Sequence, residues 1–374
     1  MRKFLITGLC ALLLAGPAAG GVENGACPAV PAQGVAPADP LMTRAVDMLF
    51  NGAVRSGMGT GYAVAVADDT GRILFARAYG QADLENPTPV RPDNIFRVGS
   101  VTKEFTAAAI LLLADQGKLS IDDPVSNYID KFSDTKITLR HMLAHTSGLR
   151  NYTNAEFRLK DGRLERSVPE MVAYILAQPD LLTFPPGSRY SYSNSGYFLL
   201  GAVIEKVTGQ GYADFIRTAL LDPLGLTHTA IDTDGMIVPG LVHGYEKAAD
   251  APTGTVNAMI MSLSVAGPAG ALRSTVGDLI CWNRALIGGR VLSPGNLAQM
   301  AQPGLGDYGL GLMIRKDRDG IRSVGHFGAI NGFQAALFTL PEQKLTFAVL
   351  GNRAQSVIPV VPAFQKAIVT FLGH

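Results

Sequence analysis

The chain has 374 residues, 47% of them hydrophobic and 17% charged, with a formal net charge of +1. That composition supports a large buried core and argues against disorder over most of the length. There is no Lys/Arg-rich run, so nucleic acid and anionic membrane surfaces are not indicated, and the expected partner is a small or local group.

Arg2 and Lys3 precede an apolar run from Phe4 to Ala15 and then the small residues from Gly16 to Gly21. Basic, apolar and small in that order predict a secretory signal peptide over residues 1–20, with cleavage near Gly20. No later stretch is long and apolar enough to span a bilayer, so a periplasmic or secreted protein is expected. Residues 21–38, rich in Pro, Ala and Gly, read as a flexible linker. Once Cys10 leaves with the signal, Cys27 and Cys281 remain and could bridge in an oxidising compartment. Alternatively Cys281, inside the apolar pattern Leu279-Ile280-Cys281-Trp282, is a small buried helix residue.

Asp39-Pro40 reads as an N-cap and first helical position, opening a helix to about Arg55. Tyr62–Asp68 and Ile73–Tyr79 read as strands joined by an Asp69-Thr70-Gly71 turn. Residues 98–117 follow as a central helix. From Phe105 to Ala114 only Thr106 is polar, so no side of this helix is suited to water.

From Leu119 to about Met300 the pattern is mostly helical, with starts near Asp123, Thr138, Val168, Ser195, Tyr212 and Thr275. Strand signals return at 308–314, 321–327, 333–340 and 345–350, and a helix from about Val357 closes the chain. The expected fold is mixed α/β (α+β). Residues 39–118 and 301–374 supply an antiparallel sheet flanked by helices, and residues 119–300 form an inserted helical part.

Ser100 and Lys103 stand on neighbouring turns at the mouth of the central helix, where an amine of lowered pKa could take the serine's proton. The competing reading is an N-cap serine beside a solvated lysine, and Ser133-Asp134-Thr135-Lys136 repeats the spacing in a polar stretch. Tyr192 and Asn194, two apart on a Pro/Gly-rich loop before a helix, could supply a proton shuttle and an amide. Tyr152-Thr153-Asn154 reads as an accidental second copy of that pattern. In Val324-Gly325-His326-Phe327-Gly328, glycine would admit a substrate backbone, and a participating imidazole would make activity fall near about pH 6.5. His141 and His145 have helical spacing but no adjacent acid. They read as structural histidines that cap or brace a turn, and neither metal nor any other cofactor is expected.

Ser100-Val-Thr-Lys103, Tyr192-Ser-Asn194 and His326-Phe-Gly328, in this order, resemble the penicillin-recognising serine hydrolases: class C β-lactamases, D-alanyl-D-alanine carboxypeptidases and related esterases. Leu139–Leu149 and Tyr308–Leu312 look like further segments of that family. The resemblance implies that Ser100 is acylated, Lys103 activates it and Tyr192 carries the proton to the leaving group. Asn194 would hold the substrate acyl side chain, and the backbone N–H groups of Ser100 and Ala329 would form an oxyanion hole. His326 stands where β-lactamases usually have lysine. Phe327 and Ala329 replace hydroxyl residues that often grip a substrate carboxylate, a loss that Arg353 could offset. The expected function is acyl-enzyme hydrolysis of β-lactam or D-alanyl-peptide substrates; the alternatives are an esterase or amidase of the same fold, or a non-catalytic binding protein.

Overall fold

The structure is a computed structural model and describes residues 30–36, 39–154, 157, 160–251 and 254–373. The expected signal peptide, Cys10 and Cys27 lie outside the described residues. Helix α1 (Pro40–Arg55) starts as its sequence predicts: the Asp39 side chain accepts from the Leu41 N–H at 2.7 Å. Strands β1 (Gly61–Asp68), β2 (Ile73–Asp83) and β3 (Thr88–Pro89) precede helix α2 (Thr102–Asp115). Helices α3 (Leu139–Leu143), α4 (Asn194–Thr208), α5 (Leu263–Gly270) and α6 (Val276–Ile287) lie in the middle of the chain. Strands β4 (Met313–Lys316), β5 (Arg322–Ile330), β6 (Phe333–Leu340) and β7 (Leu345–Gly351) then lead to helix α7 (Val361–Leu372).

The seven strands form one sheet in the order β3-β2-β1-β7-β6-β5-β4, with every neighbouring pair antiparallel. The two chain ends meet where Val64 of β1 opposes Val349 of β7. In β1, Tyr62, Val64 and Val66 join α1 and α7 in one core, whereas Ala63, Ala65 and Ala67 face the larger core that contains α2 and α6. Side chains alternate across a strand, so the Ala/Val alternation gives one thick face and one thin face, and the thin one lets α6 approach.

Helix α2 runs inside the larger core, with every residue from Thr102 to Leu113 buried. Its one polar mid-helix side chain is satisfied: the Thr106 hydroxyl lies 2.7 Å from both the Pro268 carbonyl and the Tyr212 hydroxyl.

Two local expectations need correction. Residues 30–36 are not a free linker: Val35 and Ala76 exchange backbone hydrogen bonds of 2.8 Å, and buried Val30 packs where Gly277 leaves room. The outer edge of β2 is open there, because β3 covers it only at Gln81 and Asp83. The helix expected near Asp123 is two single 3-10 turns, Val125–Asn127 and Asp130–Phe132, the first entered through Pro124. Cys281 is buried in α6, as its apolar surroundings predict, and is disulfide-bonded.

Candidate active site

Two glycines let the sheet reach the head of α2. The turn Gly99–Val101 enters α2 with Gly99 at φ +52°, where a Cβ would lie 2.6 Å from the Ala329 carbonyl carbon. A Cβ on Gly328 would lie 1.8 Å from the Val98 carbonyl oxygen. Gly328 therefore admits the protein's own backbone at Val98. Strand β4 pairs with β5 only as far as Gly325, so the edge from His326 to Ile330 is left uncovered by it beside Ser100. Ser100, Asn194 and Ala329 line one cavity of about 640 Å³.

Ser100 makes no helix cap, and Lys103 is not solvated. The fully buried Lys103 Nζ lies 3.1 Å from Ser100 Oγ, 2.8 Å from Asn194 Oδ1 and 2.6 Å from the Ala269 carbonyl. No carboxylate among the described residues pairs with it, and desolvation holds its pKa well below the usual lysine range. A neutral amine has two N–H donors and one lone pair. The two carbonyl oxygens can only accept, so they take the donors, and the lone pair is left for the Ser100 O–H. By contrast, Ser133 and Lys136 are exposed, and the Ser133 hydroxyl donates to the Asp130 carbonyl.

Tyr192 closes the other side. Burial raises its pKa above the usual phenol value, opposed by a hydrogen bond with Ser100, so it stays protonated at neutral pH. Lys103 Nζ sits 4.9 Å from its ring centroid. Asn194 is held by a group that the sequence reading passed over: its Nδ2 donates to Thr153 Oγ1 at 2.8 Å and its N–H to Asn151 Oδ1 at 3.1 Å. The Tyr152-Thr153-Asn154 repeat, read as accidental, therefore belongs to the site. The repeated Tyr-x-Asn spelling was the only signal that pointed to it. With Lys103 on its oxygen, the Asn194 amide has one N–H left for a substrate.

His326 is buried beneath the site. Its Nδ1 donates to the Phe327 carbonyl, so its Nε2 accepts from the Tyr308 hydroxyl at 2.9 Å. Both ring nitrogens are committed within the protein. Burial, reinforced by nearby Lys103, pushes its pKa down to about 3. The expected imidazole titration near about pH 6.5 is therefore corrected, because a ring this desolvated stays neutral there. Arg353 is buried and is not among the residues lining the cavity; its Nη2 donates to the Gly254 carbonyl at 3.0 Å. The Phe327 ring packs on Phe338 at 4.7 Å and joins the α1/α7 core. His141 closes a capping box with Thr138 at the start of α3, while His145 lies buried among tyrosines.

The cavity walls are mixed: Met261, Val265, Ala266, Ile330 and Phe333 supply apolar surface, Thr153, Asn194, Asn331 and Gln334 polar groups, and its charged lining residues are Glu246 and Lys247. A family model described as Beta-lactamase matches residues 50–367. The chain belongs to the beta-lactamase family. As a member of the beta-lactamase family it is a serine hydrolase.

Among its relatives, a penicillin-binding protein of Bacillus subtilis (strain 168) is 27% identical over 341 residues, 87% of this chain and 72% of that one. Protein flp of Staphylococcus aureus (strain MRSA252) is 26% identical, over 84% of this chain and 64% of its own length. The D-aminopeptidase of Brucella anthropi is 27% identical over 83% of this chain and 59% of its own length. The chain thus spans less than two thirds of the latter two beta-lactamase-family relatives.

Among solved structures, the D-amino acid amidase from Ochrobactrum anthropi SV3 complexed with L-phenylalanine amide aligns with TM-score 0.79 and 25% identity, over 88% of this chain and 99% of that one. A D-stereospecific amidohydrolase from Streptomyces sp. aligns with TM-score 0.73 and 28% identity, over the same shares of the two chains.

Proposed function

We propose that this chain is an exported amidase or esterase that acylates Ser100, acting on D-amino-acyl amides, short peptides or esters whose leaving group bears no carboxylate. The observation that carries this reading is the desolvated amine of Lys103, 3.1 Å from Ser100 Oγ and oriented by the Asn194 and Ala269 carbonyls. Lys103 takes the Ser100 proton as Oγ attacks the substrate carbonyl. The N–H groups of Ser100 and Ala329 receive the developing oxyanion. Tyr192 gives its proton to the leaving nitrogen or oxygen and is reprotonated from Lys103. Water then attacks the acyl-enzyme, losing its proton through the same pair, and Ser100 leaves with a proton restored.

Substrate class follows from the cavity walls. Arg353 is turned away and position 329 carries a methyl group, so among the described lining residues Lys247 is the one cation that could meet a carboxylate with a charge-assisted bond. The names of two structural relatives, an amidase and an amidohydrolase, point the same way. A second reading, hydrolysis of β-lactams or D-alanyl peptides, is favoured by the β5 edge that β4 leaves uncovered, where an extended substrate could pair. Export rests on the N-terminal residue order, and the disulfide at Cys281 accords with an oxidising compartment.

The test compares a D-amino acid anilide, an aryl ester, a chromogenic cephalosporin and an acyl-D-alanyl-D-alanine peptide on one purified mature sample. Amide and ester turnover with a covalent adduct on Ser100, both absent in Ser100→Ala, is expected. Turnover of the last two alone would replace the first reading by the second, and turnover by Ser100→Ala would overturn both.

A further inference from the structure

We propose that His145 is a positioning residue for Tyr192, holding the phenol beside Ser100 during both acylation and deacylation; this rests on the acyl-enzyme reading above. His145 was expected to brace a turn, and the turn it braces is the one that carries Tyr192. Its carbonyl accepts the Ser191 N–H at 2.9 Å, and its Nδ1 accepts the Ser193 N–H at 3.1 Å. One histidine thereby ties down the residues on both sides of Tyr192. Its ring also lies against the Tyr192 ring, with centroids 4.2 Å apart and planes inclined by 39°.

This placement is costly for the fold. His145 has φ +57°, a left-handed backbone conformation that suits glycine or asparagine better. Its ring is buried, with the rings of Tyr197 and Tyr308 at 5.0 and 4.7 Å. Because Nδ1 accepts a backbone N–H, the ring hydrogen must sit on Nε2, which is buried and has no hydrogen-bond partner among the described residues. Burial, with Lys103 and His326 nearby, holds the pKa of His145 well below the usual imidazole value, in keeping with a neutral ring. A neutral ring adds no charge beside Lys103, while its Nδ1 can fix the tyrosine loop. Leucine would fill a similar volume but could not accept the Ser193 N–H, whereas asparagine could.

The experiment measures acylation and deacylation rates of Ser100 with an activated ester for the wild type, Tyr192→Phe, His145→Leu, His145→Asn and the Tyr192→Phe/His145→Leu pair. His145→Leu should slow both steps by about 10- to 100-fold. His145→Asn should recover part of that loss, and the double variant should be no slower than Tyr192→Phe alone. Multiplying effects in the double variant, or a wild-type rate in His145→Leu, would overturn the proposal. If His145→Leu does not fold, His145→Asn with Tyr192→Phe completes the same cycle. A wild-type rate in Tyr192→Phe would overturn the roles of both Tyr192 and His145 while leaving Ser100 standing, whereas turnover by Ser100→Ala would remove the acyl-enzyme reading itself.

Discussion

Lys103, Glu104 and His326 show how desolvation sets protonation state at single residues. Lys103 has its pKa lowered by burial, so its base form persists toward neutral pH and disappears only on acidification through that lowered value. Lys103→Ala should reduce acylation by about 10²- to 10⁴-fold, measured under single-turnover conditions. His326, pushed down to about 3, should show constant imidazole chemical shifts from about pH 5 to 8, where an ordinary histidine titrates. A shift with a midpoint near about pH 6.5 would contradict the buried, doubly engaged ring. Glu104 is the opposite case. It is fully buried, accepts from Trp282 Nε1 at 3.0 Å, and its pKa rises from 4.5 to about 8 through desolvation. Its folded-state pKa lies above the unfolded one, so the stability it contributes is complete below about pH 4.5, declines as pH rises, and is lost above about pH 8. Glu104→Gln keeps an acceptor for Trp282 and cannot ionise. Denaturant unfolding should find it more stable than the wild type at about pH 8.5, with the gap closing toward about pH 4.5.

At the scale of elements, the site depends on how closely β5 can lie against the turn that opens α2. Gly328→Ala would place a methyl group on the Val98 carbonyl and part the N–H groups of Ser100 and Ala329. Turnover should fall by about 10²- to 10³-fold, the cost of losing one oxyanion donor, while far-UV dichroism stays native. Unchanged turnover would argue that the two N–H groups do not act together. The long elements could be read in advance because each carries its own pattern: twelve buried residues in α2, and the Ala/Val alternation in β1. Pairs such as Phe96–Arg97 with Leu272–Ser274 could not, since strands of two or three residues show no alternation. Nor could the clamp on Asn194 by Asn151 and Thr153, which arises only when the two loops meet.

At the scale of the molecule, one continuous core joins the thin face of the sheet to α2, α4 and the helices around them. Ser100 and Lys103, Tyr192 and Asn194, and Ala329 come from three distant stretches of chain packed on that core. Thermal loss of activity and of near-UV dichroism should therefore coincide, and activity lost well before the dichroism would show that the helical part opens alone. The family was legible because three short motifs occur in a fixed order. The duties of His326 and Arg353 were not, because a motif names a residue without saying which neighbours will occupy its polar atoms.

The three oxygens around Lys103 Nζ have one more consequence. They also satisfy an ammonium, which has three donors to place. If the serine proton crosses as proposed, the amine would turn its new N–H toward Ser100 Oγ, and the Asn194 and Ala269 carbonyls would keep the hydrogen bonds they already had. Both protonation states fit one set of heavy-atom positions, so the transfer can proceed with little reorganisation of the scaffold around it.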